Sequence, residues 1–216
     1  MGAALTVVLL KALLLFQVRV TDGSLRPALV EGDRLLVMRL WGDNLPRKGD
    51  VVVYRDPLPM GGGLCLARCL SLPGDTLWIH MDTPAADSAD APKVRAWRSV
   101  VVPRRGEPVE VKPWNKSLLA NALRLHEGAN VCEGPDGEAL VVDGQLMRQI
   151  PFTRDYLWLA ADGRQGRGYD SRMYGFLPVD YVIGRGVRVS YSKALGTPLW
   201  TGWRADRVWL SATAGR

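Results

Sequence analysis

The 216 residues carry 28 lysines and arginines against 22 aspartates and glutamates, a net charge of +6, and 47% of them are hydrophobic. Such a mixture excludes a disordered chain and suffices for one domain, or one domain with a sub-domain, around a real core. The basic residues are spread out, with no long run or aromatic-basic stripe, so the charge suits an anionic membrane surface and nucleic acid is not an expected partner.

Residues 3–18 form the only membrane-length apolar run, interrupted by Lys11. A span takes about 20 apolar residues, so the run is short. A cleaved signal peptide and a buried helix compete with a membrane anchor. No lysine or arginine precedes the run, and Gln17-Val18-Arg19-Val20 is a poor cleavage site. The anchor is the preferred reading. Directly after it, Gly23 and Pro27 flank Ser24-Leu25-Arg26, a stiff, non-helical presentation of one hydroxyl. The plainer reading is a turn leading into a first strand.

Gly-Asp pairs at 32–33 and 49–50 precede predicted strands over 33–41 and 51–54. A third strand over 64–70 ends at the turn signal Pro73-Gly74-Asp75, and Thr76–His80 follows. Residues 82–95, rich in Ala, Asp and Pro, read as an exposed loop. Strands are predicted again at 100–102 and 109–111. Lys116–Glu127 is the one clear soluble helix, with Asn115 or Ser117 to cap it and Gly128 to stop it. Residues 138–142 and 146–150 read as a hairpin about Asp143-Gly144. Strands at 156–161, 181–182 and 187–191 complete a mainly β architecture.

Cys65 and Cys69 are four apart in a predicted strand, on the order of 13 Å between Cα atoms and beyond the disulfide limit of about 7 Å. Nothing demands that Cys132 pair with either. His80 and His126 are the only histidines, and without a Cys/His cluster no metal site is expected. Of eight tryptophans, Trp41 suits a bilayer interface and core packing is expected for most of the rest.

Three separated stretches share one pattern. Ser24-Leu25-Arg26-Pro27-Ala28-Leu29 resembles the nucleophile box of the type I signal peptidases, Ser-Met-x-Pro-Thr-Leu. Arg68-Cys69-Leu70-Ser71-Leu72-Pro73-Gly74-Asp75 is similar to that family's Lys-Arg-Val-Ile-Gly-x-Pro-Gly-Asp box. Asp170-Ser171-Arg172-Met173-Tyr174-Gly175-Phe176-Leu177-Pro178 is similar to its Asp-Ser-Arg-x-x-Gly-x-Val-Pro stretch. The resemblance implies a signal peptidase I-like antiparallel β-sheet domain with a β-rich cap and one N-terminal transmembrane helix. The anchor would be residues 1–20, the catalytic-type core 21–80 and 151–205, the inserted cap 81–150, and a tail 206–216. It further implies a serine endopeptidase that removes signal peptides from exported preproteins at the outer, periplasmic face of the bacterial plasma membrane, single-pass and without a cofactor. Acyl transfer would use a Ser/Lys dyad whose desolvated lysine takes the serine proton. Implied partners are signal peptides, membrane lipid and, for a non-cutting relative, an active signal peptidase.

The carry-over is uneven. Ser24 falls on the nucleophile position, and Asp75, Asp170, Ser171 and Arg172 hold as a supporting, salt-bridged scaffold. Ala67 falls where the family has its lysine, and a methyl group cannot take a proton. Arg68 cannot replace it, because a guanidinium stays protonated and the next residue of a strand faces the other way. Gly168 stands where the family commonly has a serine that orients the lysine, and Asp162-Gly163-Arg164 is one residue out of register with its Gly-Asp-Asn-Arg run. His80 and Asp22 are the remaining candidate bases. Their plainer readings are a surface histidine and a carboxylate with divergent geometry, and an ionised Asp22 would repel an oxyanion. Two outcomes follow: a signal peptidase with weak or no activity, or a pseudoenzyme that binds signal peptides or a partner peptidase.

Overall fold

The computed structural model describes residues 14–42, 44–57, 63–84, 93–135, 138–162 and 170–213. The chain divides into two compact units: one holds the chain up to Leu70, Leu159–Met173 and everything from Asp180 on, and the other holds Ser71–Trp158 and Tyr174–Val179.

The first unit is an antiparallel sheet of β1 (Leu15–Arg19), β2 (Asp33–Arg39), β3 (Val51–Arg55), β4 (Leu64–Ser71) and β14 (Val182–Ser192). Their order is β1-β2-β14-β3-β4. Strand β1 corrects the reading of residues 15–18 as the end of an apolar helix. Those residues pair with β2 from Leu15↔Met38 to Arg19↔Arg34. Phe16, Val18 and Val20 pack on a cluster with Leu25, Leu29, Leu35, Val37, Val51, Val53 and Val189, while Gln17 and Arg19 face solvent. That alternation is the period of two that a half-buried strand requires. Among the described residues no helix is long and apolar enough to cross a membrane. Residues 3–13 of the proposed anchor, and Lys11 with them, lie outside the described residues.

Strand β14 runs unbroken through two predicted strands and the gap between them. Gly184 and Gly186 hide it from a hydropathy reading, yet both are required. A Cβ on Gly184 would fall 2.5 Å from the Met38 carbonyl oxygen, and one on Gly186 would fall 2.8 Å from Leu35 Cδ2. Close approach of a neighbouring strand is a recognised use of glycine inside a sheet.

In the second unit β5 (Thr76–Pro84) and β6 (Lys93–Val101) form a long two-stranded ribbon. The exposed loop expected over 82–95 is therefore corrected at both ends, where Asp82↔Arg95, Thr83↔Val94 and Pro84↔Lys93 are paired. Strand β7 (Pro108–Glu110) pairs with β11 (Gln149–Pro151), and β8 (Val131–Glu133), β9 (Leu140–Val142) and β10 (Gln145–Met147) form a three-stranded meander. Strand β12 (Tyr156–Ala160) pairs with β13 (Leu177–Pro178) through Tyr156↔Pro178 and Leu157↔Leu177.

The predicted helix is present as Lys116–Ala122, continued by a π-helical turn over Leu123–Glu127. Gly128 ends it in the left-handed region at φ 69°. Asn115 does precede the helix, but its side chain does not cap it. Its amide instead bridges two backbone groups, accepting from Lys112 N–H at 2.8 Å and donating to Glu110 O at 2.9 Å. Leu119, Ala122 and Leu123 lie in a core with Val100, Ile150, Phe152, Tyr156, Trp158 and Phe176.

The expectation that most tryptophans other than Trp41 pack in the core is corrected. Only Trp158 is fully buried; Trp41, Trp78, Trp97, Trp200, Trp203 and Trp209 are all more than half exposed. The apolar interior is filled by leucine, valine and a Phe–Tyr group, which leaves the indoles at the surface.

Candidate functional site

Ser24 lies in the turn joining β1 to β2. Leu25 and Leu29, four residues apart, are both drawn into the core of the first unit, and Leu29 N–H donates to Leu25 O at 3.0 Å. This burial carries Ser24 inward to 3% exposure. The hydroxyl is therefore not displayed to solvent as the Gly/Pro flanks suggest, because two leucine side chains outweigh the local turn preference. Asp22 Oδ1 accepts the Ser24 backbone N–H at 2.8 Å, and Arg26 N–H closes onto Gly23 O at 3.2 Å. Among the described residues none is hydrogen-bonded to the Ser24 hydroxyl.

The far end of this turn is fastened by Asp33, which is fully buried. Its carboxylate accepts from Val30 N–H at 3.0 Å, from the Ser192 hydroxyl, and from Arg207 Nε and Nη2, the latter at 2.8 Å. Arg207 Nη2 also donates to Ala28 O at 2.9 Å, inside the serine turn itself. Burial alone would raise the Asp33 carboxyl. The hydrogen bonds from Arg207, Ser192 and Val30, with the charge of Arg207, outweigh it and hold the group below the ordinary carboxylate range. Sequence reading of the site missed this clamp. Its only sequence signal is the Gly-Asp pair at the start of β2, and Arg207 lies 174 residues away.

Ala67 sits on β4 opposite Val52 and is fully buried. Cys65, two residues earlier on the same face, is half-buried. Burial first, and then the charges of Asp56 and Asp22, push its thiol up to about 11. Asp22 therefore stands close enough to β4 for its charge to be felt at Cys65, which links the serine turn to the strand of Ala67. Arg68 pairs across to Val51 and holds Asp162 through Nε at 2.7 Å and through Nη2, while Nη1 donates to Gly49 O at 2.8 Å. The hydrogen bonds to Asp162 raise the guanidinium further, so its charge is fixed. Asp162 is a framing residue that motif counting placed out of register and so left without a role.

Asp170, Ser171 and Arg172 act on the end of β12. Asp170 Oδ2 accepts Ala161 N–H and Ser171 Oγ accepts Leu159 N–H, both at 2.9 Å. Arg172 donates from Nε to Asp170 Oδ2 at 2.9 Å and again through Nη2. Asp170 and Ser171 are buried, so these bonds staple the returning chain to a strand end that would otherwise expose unpaired N–H groups. Gly168 lies outside the described residues. In the second unit Asp75 Oδ2 accepts Leu72 N–H at 2.6 Å and closes the Pro73-Gly74 turn. Gly74 is in the left-handed region at φ 84°, with the Arg104 guanidinium 2.8 Å from where a Cβ would stand. His80 stands opposite Trp97 on β5, and its side chain is outside the described part of the structure.

The first unit thus holds a buried serine in a clamped turn, a fully buried alanine on β4, and the carboxylate–arginine pairs Asp33–Arg207, Asp162–Arg68 and Asp170–Arg172. The framing charges are present, and Ala67 offers no titratable group. No curated protein matches the chain. The family model described as signal peptidase, peptidase S26, matches residues 1–191. With most of its length matched, and with the serine turn, β4 and the Asp170–Arg172 staple all inside the match, this chain belongs to the signal peptidase (peptidase S26) family.

Proposed function

We propose that this protein engages the signal peptides of exported preproteins at the Ser24 turn and cleaves them slowly or not at all. The single observation that carries the reading is Ala67, a fully buried methyl group at the position where the family motif calls for a lysine. Two described groups near this part of the fold are poor substitutes for the missing base. The Cys65 thiol, pushed up to about 11, is protonated at neutral pH, and the Asp22 carboxylate is engaged by the Ser24 backbone N–H. Removing a general base typically costs about 10² to 10⁴ in rate. The implied setting is the outer face of the bacterial plasma membrane, with the apolar residues before Leu15 as the attachment. Membrane lipid and an active signal peptidase would then be its neighbours, and no cofactor is required.

The test is cleavage of a preprotein bearing an Ala-x-Ala site by the chain as it stands, by Ser24→Ala, and by Ala67→Lys combined with Gly168→Ser. Binding of the uncleaved signal peptide is followed in parallel. The expected result is binding by all three, with cleavage at least ~10²-fold faster in the restored variant than in the parent. Efficient cleavage by the parent that vanishes in Ser24→Ala would overturn the reading and require another base. Absence of signal-peptide binding by the parent would overturn it in the other direction.

A further inference from the structure

The turn that holds Ser24 carries its own anion. Asp22 Oδ1 accepts the Ser24 backbone N–H at 2.8 Å. In serine hydrolysis the backbone N–H of the serine itself can serve as an oxyanion donor, and such a donor lies about 2.7–3.1 Å from the oxygen it stabilises. The Asp22 oxygen therefore stands at the distance where a tetrahedral oxyanion, or a peptide's terminal carboxylate, would meet Ser24. A backbone N–H offers a single hydrogen, so the two acceptors compete for it. Asp22 is exposed while Ser24 is buried, which sets a charged group over a buried donor. The turn gives Asp22 little room to leave. A Cβ on Gly23 would fall 2.9 Å from Arg26 Nε, Arg26 N–H closes onto Gly23 O, and Leu25 is buried. Arg26, the cation of this turn, directs Nη2 to Glu31 Oε1 at 3.3 Å and so does not neutralise Asp22.

We propose that Asp22 plugs the anion position beside Ser24, so that this turn receives an uncharged peptide and rejects a carboxylate or an oxyanion. The inference rests on the proposed engagement of signal peptides, and it adds a second obstacle to cleavage that is independent of Ala67. It also separates ligands by chemical class. An uncut signal peptide presents only neutral carbonyls at its Ala-x-Ala segment, whereas a cut one ends in a carboxylate. That carboxylate meets the like charge of Asp22, and the donor it needs is already taken. Asp22 thus acts through the Ser24 N–H as a positioning residue that selects the uncut chain. Its plainer role, closing a tight turn, accounts for a loss of stability on substitution but for no discrimination between ligands.

The experiment uses the full chain in detergent with a fluorescein-labelled signal peptide that ends at the last alanine of an Ala-x-Ala site. The peptide is made both as the C-terminal acid and as the C-terminal amide. Fluorescence anisotropy gives the two dissociation constants for the parent, Asp22→Ala and Asp22→Asn. The parent should bind the amide at least ~10-fold more tightly than the acid, the scale of one hydrogen bond to a charged group. Asp22→Ala should bring the two affinities together. Asp22→Asn keeps an acceptor for the N–H but removes the charge, and should narrow the ratio part of the way. That variant carries the test if Asp22→Ala fails to fold. In parallel, the Ser24 amide proton, followed by NMR of isotope-labelled protein without ligand, should move upfield in Asp22→Ala. Equal binding of acid and amide by the parent, a ratio that neither substitution changes, or a Ser24 resonance that stays put would overturn the plug and leave the proposed function standing. Absence of binding of both peptides by every variant would overturn the proposed function, and the plug with it.

Discussion

Replacing Arg207 by methionine removes one charge from the buried clamp that closes the serine turn while keeping most of the side-chain volume. Asp33 is fully buried and would keep two uncharged donors, Val30 N–H and Ser192, with Arg204 Nη2 3.9 Å away as a partial substitute. Stripping one partner from a buried ion pair costs about 3–5 kcal/mol. The residual donors and Arg204 place this case near the lower end. In the double variant Asp33→Asn/Arg207→Met no unpaired charge remains, and the loss should shrink to about 1–2 kcal/mol. Urea unfolding followed by far-UV circular dichroism, at pH 7 and at pH 4, closes the cycle. The pH dependence carries its own sign. In the parent the Asp33 carboxyl is held below its unfolded value, so its contribution is present above the unfolded pKa and is lost as pH falls through the folded one. In Arg207→Met burial is no longer outweighed, the folded pKa rises, and acidification toward pH 4 should relieve part of the deficit. A single variant within about 0.5 kcal/mol of the parent at pH 7, or one whose deficit widens on acidification, would refute the clamp.

Three other outcomes can be checked with the same material. Arg68→Lys should cost about 1–2 kcal/mol in thermal unfolding, since a lysine cannot span both Asp162 oxygens and Gly49 O at once. Iodoacetamide at pH 8 should label exposed Cys132 first, and Cys65 on the order of 100-fold more slowly than an unshifted thiol; Asp22→Asn should speed Cys65, and no change would place Asp22 away from β4. His126, held neutral by burial and by the charge of Arg154 down to about 4, should make stability fall as pH drops from 6.5 toward 4. His126→Leu should flatten that limb by up to about 3 kcal/mol.

Strand starts were legible wherever a Gly-Asp pair preceded a valine run, because the turn and the alternation agree there. The helix was legible from its length and from Gly128. Residues 15–18 were misread for a specific reason. Phe16 and Val18 inward with Gln17 and Arg19 outward is a strand pattern, but a run of leucines before it makes the whole segment look like one apolar helix. The ends of the β5–β6 ribbon are held by a backbone ladder between residues that carry no apolar alternation, so composition pointed to a loop. The boxes single out Ser24, Ala67 and the Asp170–Arg172 stretch as candidate positions. They could not locate the Asp33–Arg207 or Arg68–Asp162 pairs. Those depend on contacts across 174 and 94 residues, which no local spacing encodes. The burial of Ser24 was equally hidden, since it follows from where Leu25 and Leu29 are drawn.

On the proposed reading, the fold survives without a lysine at position 67 because alanine there leaves nothing unsatisfied. A methyl group in a fully buried strand position has no polar atom to strand, whereas an amine in the same place would need room, a partner and a low pKa. The asymmetry makes Ala67→Lys a test of space as well as of chemistry. Its four extra heavy atoms enter a close-packed position, for which overpacking costs about 1–3 kcal/mol, and desolvation depresses the new amine. A group whose folded pKa is depressed in this way is destabilising while protonated. The variant should therefore be less stable than the parent at pH 7 and recover as pH rises toward 10, where the unfolded chain also begins to lose the proton. Thermal unfolding across that range measures it. A variant as stable as the parent at every pH would mean that the new side chain escapes to water. Cleavage restored under those conditions would not come from a buried dyad.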